Sequence, residues 1–219
     1  FYTIQQAGYY SQGSKWTTMG YSTIFGMINS VGQPVFREAS EDRQRLQNIF
    51  RKLMRFTAFV SFPAMLGLAI VSQELIVISI TEKWLPCVPV MQILCVWGAF
   101  MPISTLYSNL MNSIGRPNVY MWNTIALGIF QLLCVWGSYP YGLNIMLIVY
   151  TAANIFWLLI WHYFAHKHIG ISLLNTLKDI APYLIISVAV MTFTYWVAGY
   201  VKNIYLSLLA KIALAASLY

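Results

Sequence analysis

Residues Pro34 to Arg55 read PVFREASEDRQRLQNIFRKLMR, the one strongly charged stretch of a greasy chain. It holds Arg37, Arg43, Arg45, Arg51, Lys52 and Arg55, six of the thirteen basic residues, and Glu38, Glu41 and Asp42, three of the six acids. Apolar runs flank it on both sides. Hydrocarbon cannot hold such a stretch, so it reads as a loop between two membrane spans, and its Lys/Arg excess predicts a cytoplasmic position. Ser40 is expected to cap a helix, with Glu41 and Asp42 in its first turn and Arg51, Lys52 and Arg55 near its end, as the helix dipole favours. Leu46, Ile49, Phe50 and Leu53 share one apolar face. The expectation is a cytoplasmic amphipathic loop-helix over residues 37–55 that runs into the next span. It is either a solvated linker or a surface that draws anionic headgroups or ligand.

Working outward, the 219 residues are 59% hydrophobic and only 9% charged. A soluble domain carries about 25% charged residues, so a water-soluble fold is excluded. The net charge of +7 does not indicate nucleic-acid binding, which needs a continuous basic face; here the cations sit between spans. The chain opens on Phe1 and stops at Tyr219 inside an apolar run, and residues 1–219 are expected to be a piece of a longer membrane protein. Cys87, Cys95 and Cys134 show neither a disulfide framework nor a metal spacing.

A span needs about 20 mostly apolar residues. The candidates are Trp16 to Phe36, Phe56 to Ile80, Val88 to Ile114, Val119 to Gly137, Leu143 to Ala165, Ile180 to Tyr200 and Ile204 to Tyr219. The predicted class is therefore all-α: a polytopic bundle of about seven transmembrane helices. Alternating the sides puts the six loop cations with Arg116, Lys167 and Lys178 on one face. Lys15, Lys83 and Lys202 fall on the other, and Lys211 within the last run. The nine-cation side is the expected cytoplasmic side. Pro63 and Pro102 fall inside spans and act either as packing kinks or as hinges.

The first span is unusually polar. Lys15, Thr18, Ser22, Gly26, Asn29, Gln33 and Arg37 recur three or four apart on one helix face. Lipid does not tolerate such a face, so it meets either a neighbouring helix or a hydrated path. Ser104, Thr105, Ser108, Asn109, Asn112 and Ser113 form a second polar set, and Tyr120, Thr124, Gly128 and Gln131 a third. Hydroxyls, amides and aromatic edges suit a sugar or a polar headgroup, and equally suit interhelical packing.

Charges within spans are few. Glu74 is expected to be solvated near the outer interface, a proton or cation site being the alternative, and Lys211 to snorkel toward water. Asp179 and Glu82 read as isolated. His162 and His166 are four apart, but no acid accompanies them, so they predict a polar interface rather than a metal centre. No nucleophile elbow, carboxylate pair or phosphate-binding glycine loop is present. No catalytic residue, metal or cofactor is expected, and the chain does not read as an enzyme.

Five ordered pieces carry a family resemblance. They are Ala7-Gly8-Tyr9-Tyr10-Ser11-Gln12, Pro34-Val35-Phe36, Asp42-Arg43-Gln44-Arg45-Leu46, Glu82-Lys83-Trp84-Leu85-Pro86 and Gly115-Arg116-Pro117-Asn118. In order and spacing, over about residues 1 to 170, the chain resembles the C-terminal half of Wzx-like polysaccharide flippases of the multidrug/oligosaccharidyl-lipid/polysaccharide exporter superfamily. Arg37 stands where the family has Pro, and Thr81 where it has Gly. The resemblance implies one lobe of a two-lobe transporter in the bacterial inner membrane, partnered by the N-terminal half of the same transporter. It implies flipping of a polyprenyl-diphosphate-linked oligosaccharide by alternating access, without covalent chemistry. Residues for that substrate come from the polar stripe itself: Lys15 and Arg37 toward phosphate, Ser22, Asn29 and Gln33 toward sugar hydroxyls. The alternatives are a drug/cation antiporter of the same superfamily and a membrane-embedded polysaccharide polymerase or ligase.

Overall fold

A computed structural model describes residues 3–198 and 203–219. The described residues are helical and contain no strand. The helices are α1 (Ile4–Glu38), α2 (Arg43–Ile70), α3 (Ser72–Ser79), α4 (Val88–Ser113), α5 (Pro117–Ser138), α6 (Leu143–Ile169), α7 (Leu173–Ala198) and α8 (Ile204–Leu218). Among them α2, α4, α5, α6 and α7 are long and apolar enough to cross a membrane, and α8 is apolar but shorter. α1 falls outside that group through polarity, not length. Its 35 residues extend about 52 Å, against about 30 Å of hydrocarbon. It starts twelve residues before the expected Trp16, where Thr3 and Gln6 form a capping box. Lys202 and Tyr200, named in the orientation count and at the end of the sixth span, lie outside the described residues.

α4 is the spine. α1, α2 and α6 pack around it, and Met91, Ile103, Leu106 and Leu110 on α4 are fully buried. Near the Arg-rich loop, Phe50 lies between Phe36 and Tyr107, with ring centroids 6.0 and 5.2 Å away. The apolar face predicted for the loop-helix is real: Leu46 and Phe50 are buried, Ile49 and Leu53 partly so. α5 is the opposite case, exposing Trp122, Ile129, Leu132 and Trp136 outward. In water such a continuous apolar surface would drive association; hydrocarbon is the solvent that suits it, because helices leave no backbone group unpaired there.

Two local expectations are corrected. Asp42, not Ser40, caps α2: its carboxylate accepts from the backbone N–H groups of Gln44 (2.9 Å) and Arg45 (3.0 Å). Ser40 is engaged elsewhere, its hydroxyl donating to the Arg37 carbonyl at the end of α1 (2.7 Å). The second span does not run unbroken from Phe56 to Ile80; it breaks at Val71, between α2 and the short α3. α2 and α4 do continue through Pro63 and Pro102. Proline at 63 frees the carbonyl of Phe59, and the Tyr219 hydroxyl donates to it from α8's end (2.9 Å).

Candidate functional site

The polar stripe of α1 divides when the helices pack. Lys15, Thr18, Ser22, Gly26 and Arg37 stay exposed, whereas Asn29 and Gln33 are half-buried against α4. The meeting point is Asn109, which is buried. Its amide nitrogen donates to Asn29 Oδ1 (2.9 Å), and its Oδ1 accepts from Gln33 Nε2 (3.1 Å). Ser113 adds a hydroxyl donation to the Gln33 carbonyl (3.3 Å). One amide thus ties two turns of α1 to α4. Each of Asn29 and Gln33 keeps the other half of its amide without a partner among the described residues.

Beside this chain of amides lies a cavity of about 450 Å³. α1 lines it with Asn29 and Gln33, α4 with Ser104, Ser108, Asn109 and Asn112, and α5 with Tyr120 and Thr124. Those are members of all three polar sets found in the sequence, brought together by two helix–helix packings. Aromatic rings complete the wall. Tyr120 and Trp161 lie 6.2 Å apart with planes tilted 31°, and Trp97 faces the same space. The Trp161 indole N–H is buried without a partner among the described residues. The hydroxyls of Ser108, Thr105 and Thr124 donate back to carbonyls of their own helices (2.8–3.2 Å), which leaves their oxygens able to accept.

Other sequence candidates go elsewhere. Ser22, Lys15 and Arg37 do not line the cavity. The Ser22 hydroxyl donates to the Met19 carbonyl (3.1 Å). Gln131 on α5 donates to Asn154 on α6 (2.8 Å), which is packing. His162 Nδ1 meets the Tyr107 hydroxyl (3.2 Å) and His166 Nδ1 the Ile171 carbonyl (2.9 Å). Among the described residues no group of three metal-ligating side chains occurs.

Two charge readings are overturned. Asp179 is not isolated: it is buried, and Arg51 grips it with both Nε (2.6 Å) and Nη2 (3.1 Å), while Arg55 Nε adds a third contact (2.9 Å). These bonds join α2 to α7. Glu74 is not solvated and Lys211 does not snorkel; the two form a buried ion pair between α3 and α8. Both side chains are shielded by the surrounding helices, so each charge turns to the other. The signal was present in the sequence, since a charge inside a span needs a partner. Trp161 and Trp97 gave no such signal, because tryptophans are frequent in spans.

Comparison with known proteins agrees with part of the resemblance. Residues 1–89 match the model of a family described as "Polysaccharide biosynthesis protein". Over 110 residues the chain is 33% identical to an uncharacterized membrane protein in the cps region of Klebsiella pneumoniae, covering 50% of this chain and 23% of that protein. Over 105 residues it is 31% identical to the lipopolysaccharide biosynthesis protein WzxC of Escherichia coli, covering 48% and 21%. The teichuronic acid biosynthesis protein TuaB of Bacillus subtilis shares 24% over 131 residues, covering 59% and 27%. The matched segments span about a quarter of the length of these relatives. No solved structure matches. The chain is a multi-pass helical membrane protein with partial homology to Wzx-like polysaccharide-export proteins.

Proposed function

We propose that this chain is one lobe of a transporter that flips a polyprenyl-diphosphate-linked oligosaccharide across the bacterial inner membrane by alternating access. Its partner is the N-terminal half of the same transporter, and the Arg-rich loop faces the cytoplasm. One observation carries the reading: polar faces of α1, α4 and α5 converge on one uncharged cavity edged with amides and hydroxyls, although α4 and α5 are otherwise suited to hydrocarbon. A diphosphate loses its hydration on entering hydrocarbon, so protein groups must replace that water. Lys15 and Arg37, exposed on one face of α1, serve the phosphates. Ser22, Asn29 and Gln33 serve sugar hydroxyls. The two cations are twenty-two positions apart, about 33 Å along a helix and close to the hydrocarbon thickness. No covalent step is required of any residue.

A drug/cation antiporter needs an uncommitted carboxylate in a span. Glu74 is matched by Lys211 and Asp179 by two arginines, which favours the flippase. A polymerase or ligase calls for a large charged outer loop; the turn from Thr81 to Pro86 is short. The test is glycan export in cells carrying Arg37→Ala or Asn29→Ala at unchanged protein level. Each is expected to lower surface glycan about tenfold, the order of change that follows from losing one good polar contact to the substrate. Wild-type glycan in both variants returns the stripe to helix packing.

A further inference from the structure

The cavity between α1, α4 and α5 mixes polar groups with apolar surface and carries no charge. Its lining holds amides, hydroxyls, aromatic rings and a few apolar side chains, with no Lys, Arg, His, Asp or Glu. We propose that it is a subsite for an uncharged sugar ring, the one bonded directly to the diphosphate, and that it excludes both the diphosphate and acidic sugars. The subsite presupposes the transport of lipid-linked sugar set out above and adds the chemical class of the sugar.

The exclusion follows from desolvation. An anion moved into a cavity without a cation loses hydration that dipoles replace only in part, and the low dielectric deepens the penalty. A hydroxylated ring faces no such penalty. Each of its hydroxyls both donates and accepts, and the cavity offers both functions. The unpartnered halves of the Asn29 and Gln33 amides, the Asn112 amide and the Trp161 N–H are available among the described residues. The oxygens of Ser108 and Thr124 accept. A buried indole N–H without a partner calls for an acceptor, and a sugar hydroxyl supplies one. Tyr120 and Trp161 present apolar ring surface to the same space, against which the C–H face of a pyranose can lie.

The register of the ring follows from α1. Arg37 is four positions beyond Gln33, on the same face and about 6 Å farther along the axis. Arg37 is exposed, where a diphosphate keeps part of its water. With phosphate at Arg37, the adjoining sugar reaches Gln33 and the cavity. Asn109 is a positioning residue here: both halves of its amide hold α1 side chains in place.

The test uses three synthetic probes on the protein in lipid nanodiscs at neutral pH. They are a short-chain isoprenyl diphosphate alone, the same carrier bearing glucose, and the same carrier bearing glucuronic acid. The glucose probe is expected to bind about tenfold tighter than the glucuronate probe, or about 1.4 kcal/mol, and tighter than the bare carrier. Asn29→Ala and Asn112→Ala, both at half-buried positions, should each remove most of the glucose gain and leave the bare carrier's affinity unchanged. Glucuronate binding as tightly as glucose overturns the subsite. So does a glucose probe no tighter than the bare carrier, an outcome in which the transport reading survives. If none of the three probes binds, the transport reading fails and the subsite falls with it.

Discussion

Glu74 on α3 and Lys211 on α8 are paired where neither reaches water, their side chains only 10% and 7% exposed. Ser207 donates to the same carboxylate oxygen (2.9 Å), and the Lys211 ammonium also donates to the Ile70 carbonyl (2.9 Å). Ile70 is the last residue of α2, and the carbonyls of a helix's last turn lack partners within the helix. Lys211 therefore closes the break at Val71 and fastens α8 to it. Removing one partner strands a buried charge. Glu74→Ala and Lys211→Ala are each expected to lower stability by about 3–5 kcal/mol, whereas the double Leu replacement should recover most of the loss. Thermal unfolding in detergent reads this directly. Additive losses in the double variant would show that the two side chains act separately.

The helices were legible from hydropathy because the bilayer imposes one length and one backbone solution on every span. The stripe of α1 was legible for a related reason: Thr18, Ser22, Gly26 and Asn29 violate the apolar rule at a helical period. What the stripe does was not legible. Asn29 and Gln33 part from Ser22 only because Asn109, some 80 positions away, happens to face them. Asp179 looked isolated for the same reason, its partner Arg51 lying 128 positions off. Capping failed by two residues, since Ser40 and Asp42 are both good caps and only the end of α1 decides which is free.

The close approach of α1 to α4 rests on small residues whose space differs in kind. A Cβ on Gly13 would come to 2.9 Å from Val90 Cγ1 and 3.1 Å from the Met91 backbone nitrogen. A Cβ on Gly98 would meet the end of the Met65 side chain at 2.5 Å, which is flexible. Gly26 has nothing within 4 Å. Gly13→Ala should therefore cost about 1–3 kcal/mol, Gly98→Ala less, and Gly26→Ala nothing measurable or a slight gain in helix stability. Melting temperatures of the three variants give the order. Equal losses at Gly13 and Gly26 would mean that the tight contact at Gly13 is not what holds α1 to α4.

Thr81 has φ 156° and ψ 166°, a conformation that glycine adopts freely and β-branched residues avoid, at about 1–3 kcal/mol. It is the only non-glycine residue with positive φ among the described residues, and it stands where the resembling family has Gly. Thr81→Gly should raise stability by about 1 kcal/mol after glycine's larger unfolded-state entropy is set against the relieved strain. A melting temperature unchanged or lowered would mean that the turn before Glu82 is unstrained with threonine.

Water access along α1 separates a transport path from helix packing, and thiol labelling reads it. Cys87 and Cys95 are buried, so replacing Cys134 by serine leaves a quiet background. Ser22 and Leu132 are both exposed on the bundle, Leu132 at 71%, but they face different media in the proposed function. Ser22→Cys, and at a slower rate the half-buried Asn29→Cys, are expected to react with a membrane-impermeant maleimide in native membranes. Leu132→Cys should stay unreacted because hydrocarbon covers it and thiolate does not form there. Thr17→Cys, on the same helix but 3% exposed, should also stay silent. Adding the glucose-bearing carrier should slow Asn29→Cys more than Ser22→Cys, since only Asn29 lines the cavity. If Ser22→Cys and Asn29→Cys prove as inert as Leu132→Cys from both sides of the membrane, no water reaches the α1 stripe and the path does not exist.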